Sequence, residues 1–470
     1  MELRSYQSEA IDKLHAAFDT SRSVCLTMPT GSGKTVVFAE IARLCAEFGT
    51  SVAILVHRDN LLTQTADKLN AIGVPFSFVS PGKTHFGDKV SVCSIQTLVR
   101  RMGKYSFDFL VIDEAHHSTS PSYRKVIDAW PDCRVLGVTA TPSRLDGRGL
   151  GEVFEKLVTG PSIQELIDDG FLTSAVSYGS EMVANMANVR TTAGDYNIHD
   201  LEEALDKSEI TGSAVEHYAS LCPGAPAIAF CTTVRHSHDV AKQFSDAGYR
   251  AFPIDGKMPM SLIRDRINGL RDGSVQILTS CELVSEGLDV VGATAAILLR
   301  PTKSKALFLQ QCGRVLRPLY PKSMPTNTRE QRLAAIASSY KPKAIILDHS
   351  QNVWRHGLPE EVQEWSLDAR KKKPSTTIGV RSCPQCFAYC PIGRKSCLKC
   401  GFVFTVVPTD REIPQVAGQL TKLDAAMMSR FRRKEEGLCR TYEDLRALGE
   451  RRGYNIKWAY RRALERGFIK

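Results

Sequence analysis

Residues 28–35 read Met28-Pro29-Thr30-Gly31-Ser32-Gly33-Lys34-Thr35, between the apolar run Val24-Cys25-Leu26-Thr27 and an amphipathic stretch from Val36 to Phe48. Strand, glycine-rich turn and helix in that order make a phosphate cradle. Backbone N–H groups of such a turn, from Thr30 to Gly33, wrap a polyphosphate together with the helix N-terminus behind them. Lys34 is expected to reach the outer phosphates and the Thr35 hydroxyl to hold Mg²⁺. Gly31 and Gly33 let the backbone come that close. Met28 stands where the usual pattern has its first glycine, five residues before Gly33.

Working outward, the apolar run Phe107 to Ile112 ends in Asp113-Glu114-Ala115-His116. In mononucleotide-binding sheets the ligand sits at the carboxyl ends of parallel strands, so Asp113 is expected to face the Mg²⁺ and Glu114 the attacking water. Alone, such a pair reads better as a solvated turn after a core strand. Two series of strands alternate with helices. The first includes Val24 to Thr27, Val52 to Val56, Val90 to Ser94, Phe109 to Ile112 and Val135 to Thr139. The second includes Ala227 to Cys231, Tyr249 to Ile254, Val275 to Thr279, Ala295 to Leu299 and Ala344 to Asp348. Such alternation implies α/β lobes with parallel sheets flanked by helices, facing each other across a cleft. Phosphoryl transfer to water spreads negative charge that guanidinium groups stabilise. Arg314 and Arg317 are three apart, and a helix starting near Ser304 would put both on one face.

With these motifs in order, the chain resembles the superfamily 2 helicases and translocases (DEAD/DEAH box) over most of its first 350 residues. The resemblance implies two tandem RecA-like lobes and Mg²⁺-dependent ATP hydrolysis. Leu3-Arg4-Ser5-Tyr6-Gln7 is similar to the adenine-reading element, which makes Gln7 the reader of the base and Arg4 a helper. Val56-His57-Arg58 and Ser94 to Leu98 fall where the strand-contacting motifs lie. Gly137 to Pro142 is similar to the coupling element, giving Thr139 and Thr141, with His116 and Gln310, a coupling role. The run Thr279 to Asp289 places Gly287 and Asp289 at the nucleotide, and Gln310 to Arg317 resembles the last motif, with Arg314 and Arg317 as its arginines.

At 470 residues and 43% hydrophobic content the chain has room for about three domains. No run approaches the roughly 20 apolar residues that cross a bilayer, so no membrane partner is expected. The acid-bearing start, with no apolar signal core, predicts a cytoplasmic protein, whose cysteines are then expected to be mostly thiols or metal ligands. The expected organisation is an ATP-binding lobe at 1–160, a connection and insertion at 161–225, a second lobe at 226–365, a basic linker at 366–382, a ribbon at 383–404 and a basic C-terminal region at 405–470. The ribbon rests on Cys383, Cys386, Cys397 and Cys400, two C-x-x-C pairs ten residues apart, whose four thiolates would close a tetrahedral structural Zn²⁺ site. Cys390 reads as a spare thiol. The other nine cysteines read mainly as core residues.

Ser429 to Lys470 carries 13 Lys and Arg against 6 Asp and Glu, a net +7 within a chain whose total is +10. That density suits nucleic-acid phosphate, and Tyr442, Tyr454, Trp458 and Tyr460 could stack on bases. The same segment reads equally as a small packed helical unit. Its Arg452-to-Gly467 run, with Ile345 to His349, Asn352 and Arg355-His356-Gly357, resembles the RadD-type bacterial DNA repair helicases, a phage or prophage relative being consistent with the short chain. That resemblance implies DNA-stimulated ATP hydrolysis, a role in repair or recombination on single-stranded or branched DNA, and contact with single-strand-binding or recombination proteins. An RNA helicase, an ATP-gated adaptor and the motor subunit of a restriction system share the same motor.

Overall fold

The computed structural model describes residues 3–57, 59–84, 87–142, 149–179, 191–192, 195–196, 210–211, 214–281, 290, 292–368, 380–382, 389–391, 415–416, 421–452, 454 and 456–469. Gly287, Asp289, Cys383, Cys386, Cys397 and Cys400 lie outside them.

Lobe one is built on the strands β1 (Ser23–Thr27), β2 (Val52–Val56), β3 (Phe76–Ser80), β4 (Lys83–Thr84), β5 (Val90–Ser94), β6 (Phe109–Asp113), β7 (Arg134–Thr139) and β8 (Lys156–Thr159). They form one sheet in the order β4-β3-β5-β2-β6-β7-β1-β8. All pairings are parallel except β3 with β4. Helices cover both faces, so β1, β2, β5 and β6 are buried along their whole length. This is why they read in the sequence as unbroken apolar runs rather than alternating ones. Register matters for the site: Thr27 lies opposite Thr139, and Asp113 opposite Val138. The ends of β1, β7 and β6 are therefore level, about 4.8 Å apart strand to strand.

The chain then runs through the helix Ile163–Asp168 into β9 (Ala175–Gly179). That strand belongs to the second lobe. Short pairs follow: β10 (Thr191–Thr192) with β11 (Asp195–Tyr196), and β12 (Ile210–Thr211), whose partner comes much later. Lobe two is built on β13 (Ala227–Phe230), β14 (Ala251–Ile254), β15 (Ile277–Ser280), β16 (Ala295–Leu298) and β17 (Ala344–Asp348). Beyond them lie β18 (Val380–Ser382), β19 (Tyr389–Pro391), β20 (Gln415–Val416), which pairs with β12, and β21 (Thr421–Leu423). The sheet order is β14-β15-β13-β16-β17-β9-β21. The segment expected as connection and insertion supplies a strand to the lobe-two sheet, and β21 caps the open edge of that strand in antiparallel pairing.

One apolar core joins the lobes. It runs from Leu14 and Phe38 through Leu166, Phe171 and Leu172 to Phe308, Cys312 and Val315. Beyond β17, residues 352–368 cross back, with Leu358 buried in that core and Leu367 packed against lobe one. Leu367 O accepts a hydrogen bond from Gly151 N at 2.9 Å. Three C-terminal helices, Ala425–Leu438, Tyr442–Arg451 and Ile456–Glu465, close around Cys439, Leu445, Leu448, Ala459 and Ala463. Met428 reaches the main core, and Arg432 grips Glu361 with bonds of 2.9 and 3.0 Å, so this unit is docked on lobe two. Of the nine cysteines outside the ribbon, seven are buried and none is in a disulfide.

Candidate nucleotide site between the lobes

β1 runs into the loop 28–33, and the helix Lys34–Glu47 starts from Gly33. Gly31 and Gly33 have φ of +89° and +86°, a region that costs an L side chain about 1 kcal/mol or more. Space forbids a side chain too: a Cβ at Gly33 would lie 2.5 Å from Gln7 Nε2. Met28 needs no such freedom. It is buried at 1% exposure, its N–H donates to Thr139 O at 3.0 Å, and its side chain packs over Gly160, which explains how the loop forms without the usual first glycine.

The N-terminal element holds this loop from behind. Tyr6 OH donates to Ser32 O at 2.7 Å and Gln7 Nε2 to the same oxygen at 3.1 Å, while Gln7 Oε1 accepts from Arg4 N at 3.0 Å. Gln7, expected to read a base, here ties the first helix to the phosphate loop. Arg4 donates to Tyr6 OH at 3.0 Å and stands 4.8 Å from the centre of Phe171, whose other neighbours are Tyr6, at 5.1 Å between rings, and the Arg332 guanidinium, at 3.9 Å. Phe171 and Arg332 carried no sequence signal, because one sits in the lobe connection and the other in a solvent-sided helix far along the chain.

At the ends of β6 and β7 the acids and threonines assemble. Asp113 is 8% exposed and accepts from Glu114 N at 3.0 Å. Burial raises its carboxyl above the usual range; Glu114 adds to this and Lys34 opposes it. Glu114 takes a left-handed backbone, φ +53° and ψ +61°, at a cost of order 1–3 kcal/mol for a residue other than glycine. Its Oε2 is buried without a hydrogen bond, 3.4 Å from His116 Nδ1. His116 packs against His117 and His117 against His57, each pair of rings tilted with centres 4.2 Å apart, and His57 O accepts from Gln96 Nε2 at 3.3 Å. Both expected strand-contacting segments are thereby joined to the acid. Thr139 Oγ1 donates to Thr141 O at 3.0 Å, so the coupling segment is folded onto itself at the strand end. Tyr123, unremarked in the sequence, is buried nearby with its hydroxyl pushed up by burial and then by the two acids.

Lys34 Nζ lies on the carbonyls of Met28 and Pro29, at 3.3 and 3.4 Å. Burial lowers its pKa; Glu114 and Asp113 pull it back up, while Arg314 and Arg317 add to the lowering.

Lobe two meets this loop with the helix Lys305–Val315, capped by Ser304 Oγ accepting from Leu307 N at 3.1 Å. Gly313 permits the approach, since a Cβ there would fall 2.6 Å from Thr30 Cβ. Gln310 and Arg314 are buried on the helix, at 5% and 7% exposure. Arg317 is not on it. The helix ends at Val315, and Pro318 disfavours helical backbone in the residue before it, so the expected shared helical face of Arg314 and Arg317 does not form. The turn brings Arg317 to the same place by another route: a Cβ at Gly31 would lie 3.4 Å from Arg317 Cγ. Burial lowers the Arg317 pKa to about 10. Among the described residues the structure thus gathers Thr30 to Thr35, Asp113, Glu114, Arg314 and Arg317 around one loop.

A left-handed glycine cradle, a buried acid pair with an oxygen lacking a hydrogen bond, and cations from both lobes fit Mg²⁺ with a nucleoside polyphosphate. Residues 1–144 match the family described as type III restriction enzyme, res subunit, and residues 213–318 match the helicase conserved C-terminal domain. A 51.5 kDa protein of a Lactococcus phage (isolate 7-9) is 32% identical over 80% of this chain and 77% of its own length. The putative ATP-dependent helicase IRC3 of Saccharomyces cerevisiae is 30% identical over 67% of this chain and 49% of its own, so the chain spans about half of that relative. The DNA 3'-5' translocase XPB2 of Sulfurisphaera tokodaii is 24% identical over 67% of this chain and 79% of its own. The chain belongs to the superfamily 2 helicases and is an ATP-hydrolysing enzyme that acts on nucleic acid.

Proposed function

We propose that this enzyme is a DNA helicase or translocase that converts Mg²⁺-dependent ATP hydrolysis into movement on, or remodelling of, single-stranded or branched DNA in repair or recombination. The observation that carries it is the meeting of Arg317 and Gly313 of lobe two with Gly31 and Thr30 of the phosphate loop. Groups from both lobes complete the site only when the cleft is closed. Lys34 and the loop N–H groups hold the phosphates, and Thr35 and Asp113 hold the metal, which supplies charge screening when bound. Glu114 orients and deprotonates the attacking water through Oε2, while Arg314 and Arg317 donate to the charge that develops. Gln7 and Arg4 are read as the adenine contacts on their resemblance to the family's adenine-reading element. Gly287 and Asp289, outside the described residues, are assigned to the nucleotide on their motif alone. His116, Thr139, Thr141 and Gln310 couple the site to the strand.

Preference for DNA is supported by the RadD-like tail, by XPB2 being a DNA translocase, and by exposed cations. Arg432, Arg446, Arg452 and Arg462 are engaged with carboxylates, but Arg430, Arg433, Arg440 and Arg461 face solvent, and Tyr454 and Tyr460 are 38% and 50% exposed. Trp458 instead packs within the small helical unit. The ribbon cysteines are read as a structural Zn²⁺ site on their spacing, and the ribbon and tail as the place where a single-strand-binding or recombination protein docks. A cytoplasmic location belongs to the same reading; no described helix is long and apolar enough to cross a membrane. A second reading, the motor subunit of a restriction system, is favoured by the match of residues 1–144.

Steady-state ATP hydrolysis by the purified chain, alone and with single-stranded, duplex or forked DNA or RNA, tests the proposal. Glu114→Gln serves as the blank and is expected to bind ATP without turning it over. Strong stimulation by single-stranded or forked DNA supports the assignment. Stimulation by RNA alone, or by no nucleic acid, defeats it, and stimulation confined to duplex DNA moves the weight to the restriction-type motor.

A further inference from the structure

Lys341 is 1% exposed and follows the helix Arg329–Ser338 on the way into β17. Its Nζ donates to Ala293 O at 2.6 Å and to Arg317 O at 2.8 Å. An ammonium has three donors and no acceptor, and burying one is unfavourable unless carbonyls or carboxylates receive it. Here the acceptors are the approach to β16 on one side and the turn after the helix Lys305–Val315 on the other. Both acceptors are loop carbonyls outside helix and strand, so the ammonium ties the two loops together. A second tie, Thr173 N to Leu316 O at 2.7 Å, fixes the preceding residue. Helix geometry cannot aim Arg317, because the helix has already ended. Burial, and then the Arg317 charge, lower the Lys341 pKa to about 7, so both work against the charged form and the two carbonyl acceptors are what oppose them.

We propose that Lys341 is a positioning residue for ATP hydrolysis: by clamping the Arg317 carbonyl to the lobe-two sheet, it sets that guanidinium over Gly31. The inference rests on the reading of Arg317 as the group that stabilises the developing charge. Lys341 touches no phosphate itself, so its loss acts on turnover and not on nucleotide affinity.

The test uses the purified full chain with ATP, Mg²⁺ and single-stranded DNA, comparing Lys341→Met, Lys341→Gln, Arg317→Ala and the double variant Lys341→Met/Arg317→Ala, each checked by circular dichroism and thermal melting. Lys341→Met is expected to lower kcat about tenfold or more with KM for ATP within about threefold, and Lys341→Gln, which keeps a donor, to recover part of that loss. The double variant is expected to be no slower than Arg317→Ala, because residues acting through one another are not additive. If Lys341→Met fails to fold, the glutamine variant alone and combined with Arg317→Ala makes the same comparison. A folded Lys341 variant with unchanged kcat, equal changes in kcat and KM, or multiplicative losses in the double variant would overturn the inference while leaving Arg317 in place. Normal turnover by Arg317→Ala would remove the reading of Arg317 and this inference with it.

Discussion

Asp113 and Asp348 occupy equivalent places, each the last residue of a buried parallel strand, one in each lobe. Burial raises the pKa of both. Their surroundings differ. Asp348 is fully buried and accepts from Ser350 N at 3.1 Å, Ser350 Oγ at 3.3 Å and Val353 N at 2.6 Å, so its charge is spent on starting the short helix Asn352–His356. Asn352 extends that network to Thr302 N and Arg300 O. Asp113 accepts one backbone hydrogen bond and has Glu114, a like charge, beside it. The same residue type at the same strand position is structural where its own chain satisfies it, and chemical where the chain leaves it facing another acid.

Turnover should separate the two most widely. Asp113→Asn is expected to lower DNA-stimulated ATP hydrolysis by about 100-fold or more, the scale of losing a metal contact worth several kcal/mol. Asp348→Asn should hold turnover per folded molecule within about threefold. Equal losses in a steady-state assay would erase the distinction.

Stability should invert that order. Asp348→Ala orphans the Ser350 and Val353 N–H groups, and each buried donor left without an acceptor costs about 1–3 kcal/mol, so the melting temperature should fall by several degrees. Asp113→Asn removes a buried charge opposed by Glu114 and should melt no lower than the parent without metal. A clear drop for Asp113→Asn would mean that its carboxylate braces the fold.

The smallest effect sharpens the comparison through pH. A carboxyl whose pKa is raised on folding binds its proton more tightly in the native state, so its stabilising contribution is present at low pH and is lost as pH rises. For Asp113 that window runs from near 3.8 to about 7. Metal-free protein should therefore lose stability across it, by up to roughly 1.4 kcal/mol per pH unit for one group. Asp113→Asn should flatten the slope in part, and added Mg²⁺ should do the same to the parent protein. Melts between pH 5 and 8 with and without Mg²⁺ check this; an unchanged slope in the variant would assign the dependence elsewhere, Asp348 first.

The parallel strands were legible because both faces are covered, which writes them as continuous apolar runs, and the phosphate loop because left-handed turns demand glycine. Arg314 and Arg317 were legible as a pair, but their geometry was not: periodicity put both on a helix that Pro318 stops at Val315. Phe171, Arg332 and Lys341 were illegible for a different reason. Each acts through residues far away in sequence, on a ring, a carbonyl or a sheet edge, and a single aromatic or basic residue carries no periodic signature of such a contact. The tail showed the limits of counting charge, since several of its arginines are engaged by carboxylates.

The chain passes between the lobes twice among the described residues, once near Leu172 and Thr173 and again at Leu367, whose carbonyl is held by Gly151. Glu361, gripped on the lobe-two side by Arg432, and Leu367 are six positions apart, a stretch of at most about 20 Å when extended. While the Gly151 contact holds, separation of the lobes at that edge is limited by the length of this strap. The strap between Glu361 and Leu367 thus sets an upper limit on how far that edge of the cleft can gape while both of its ends are held.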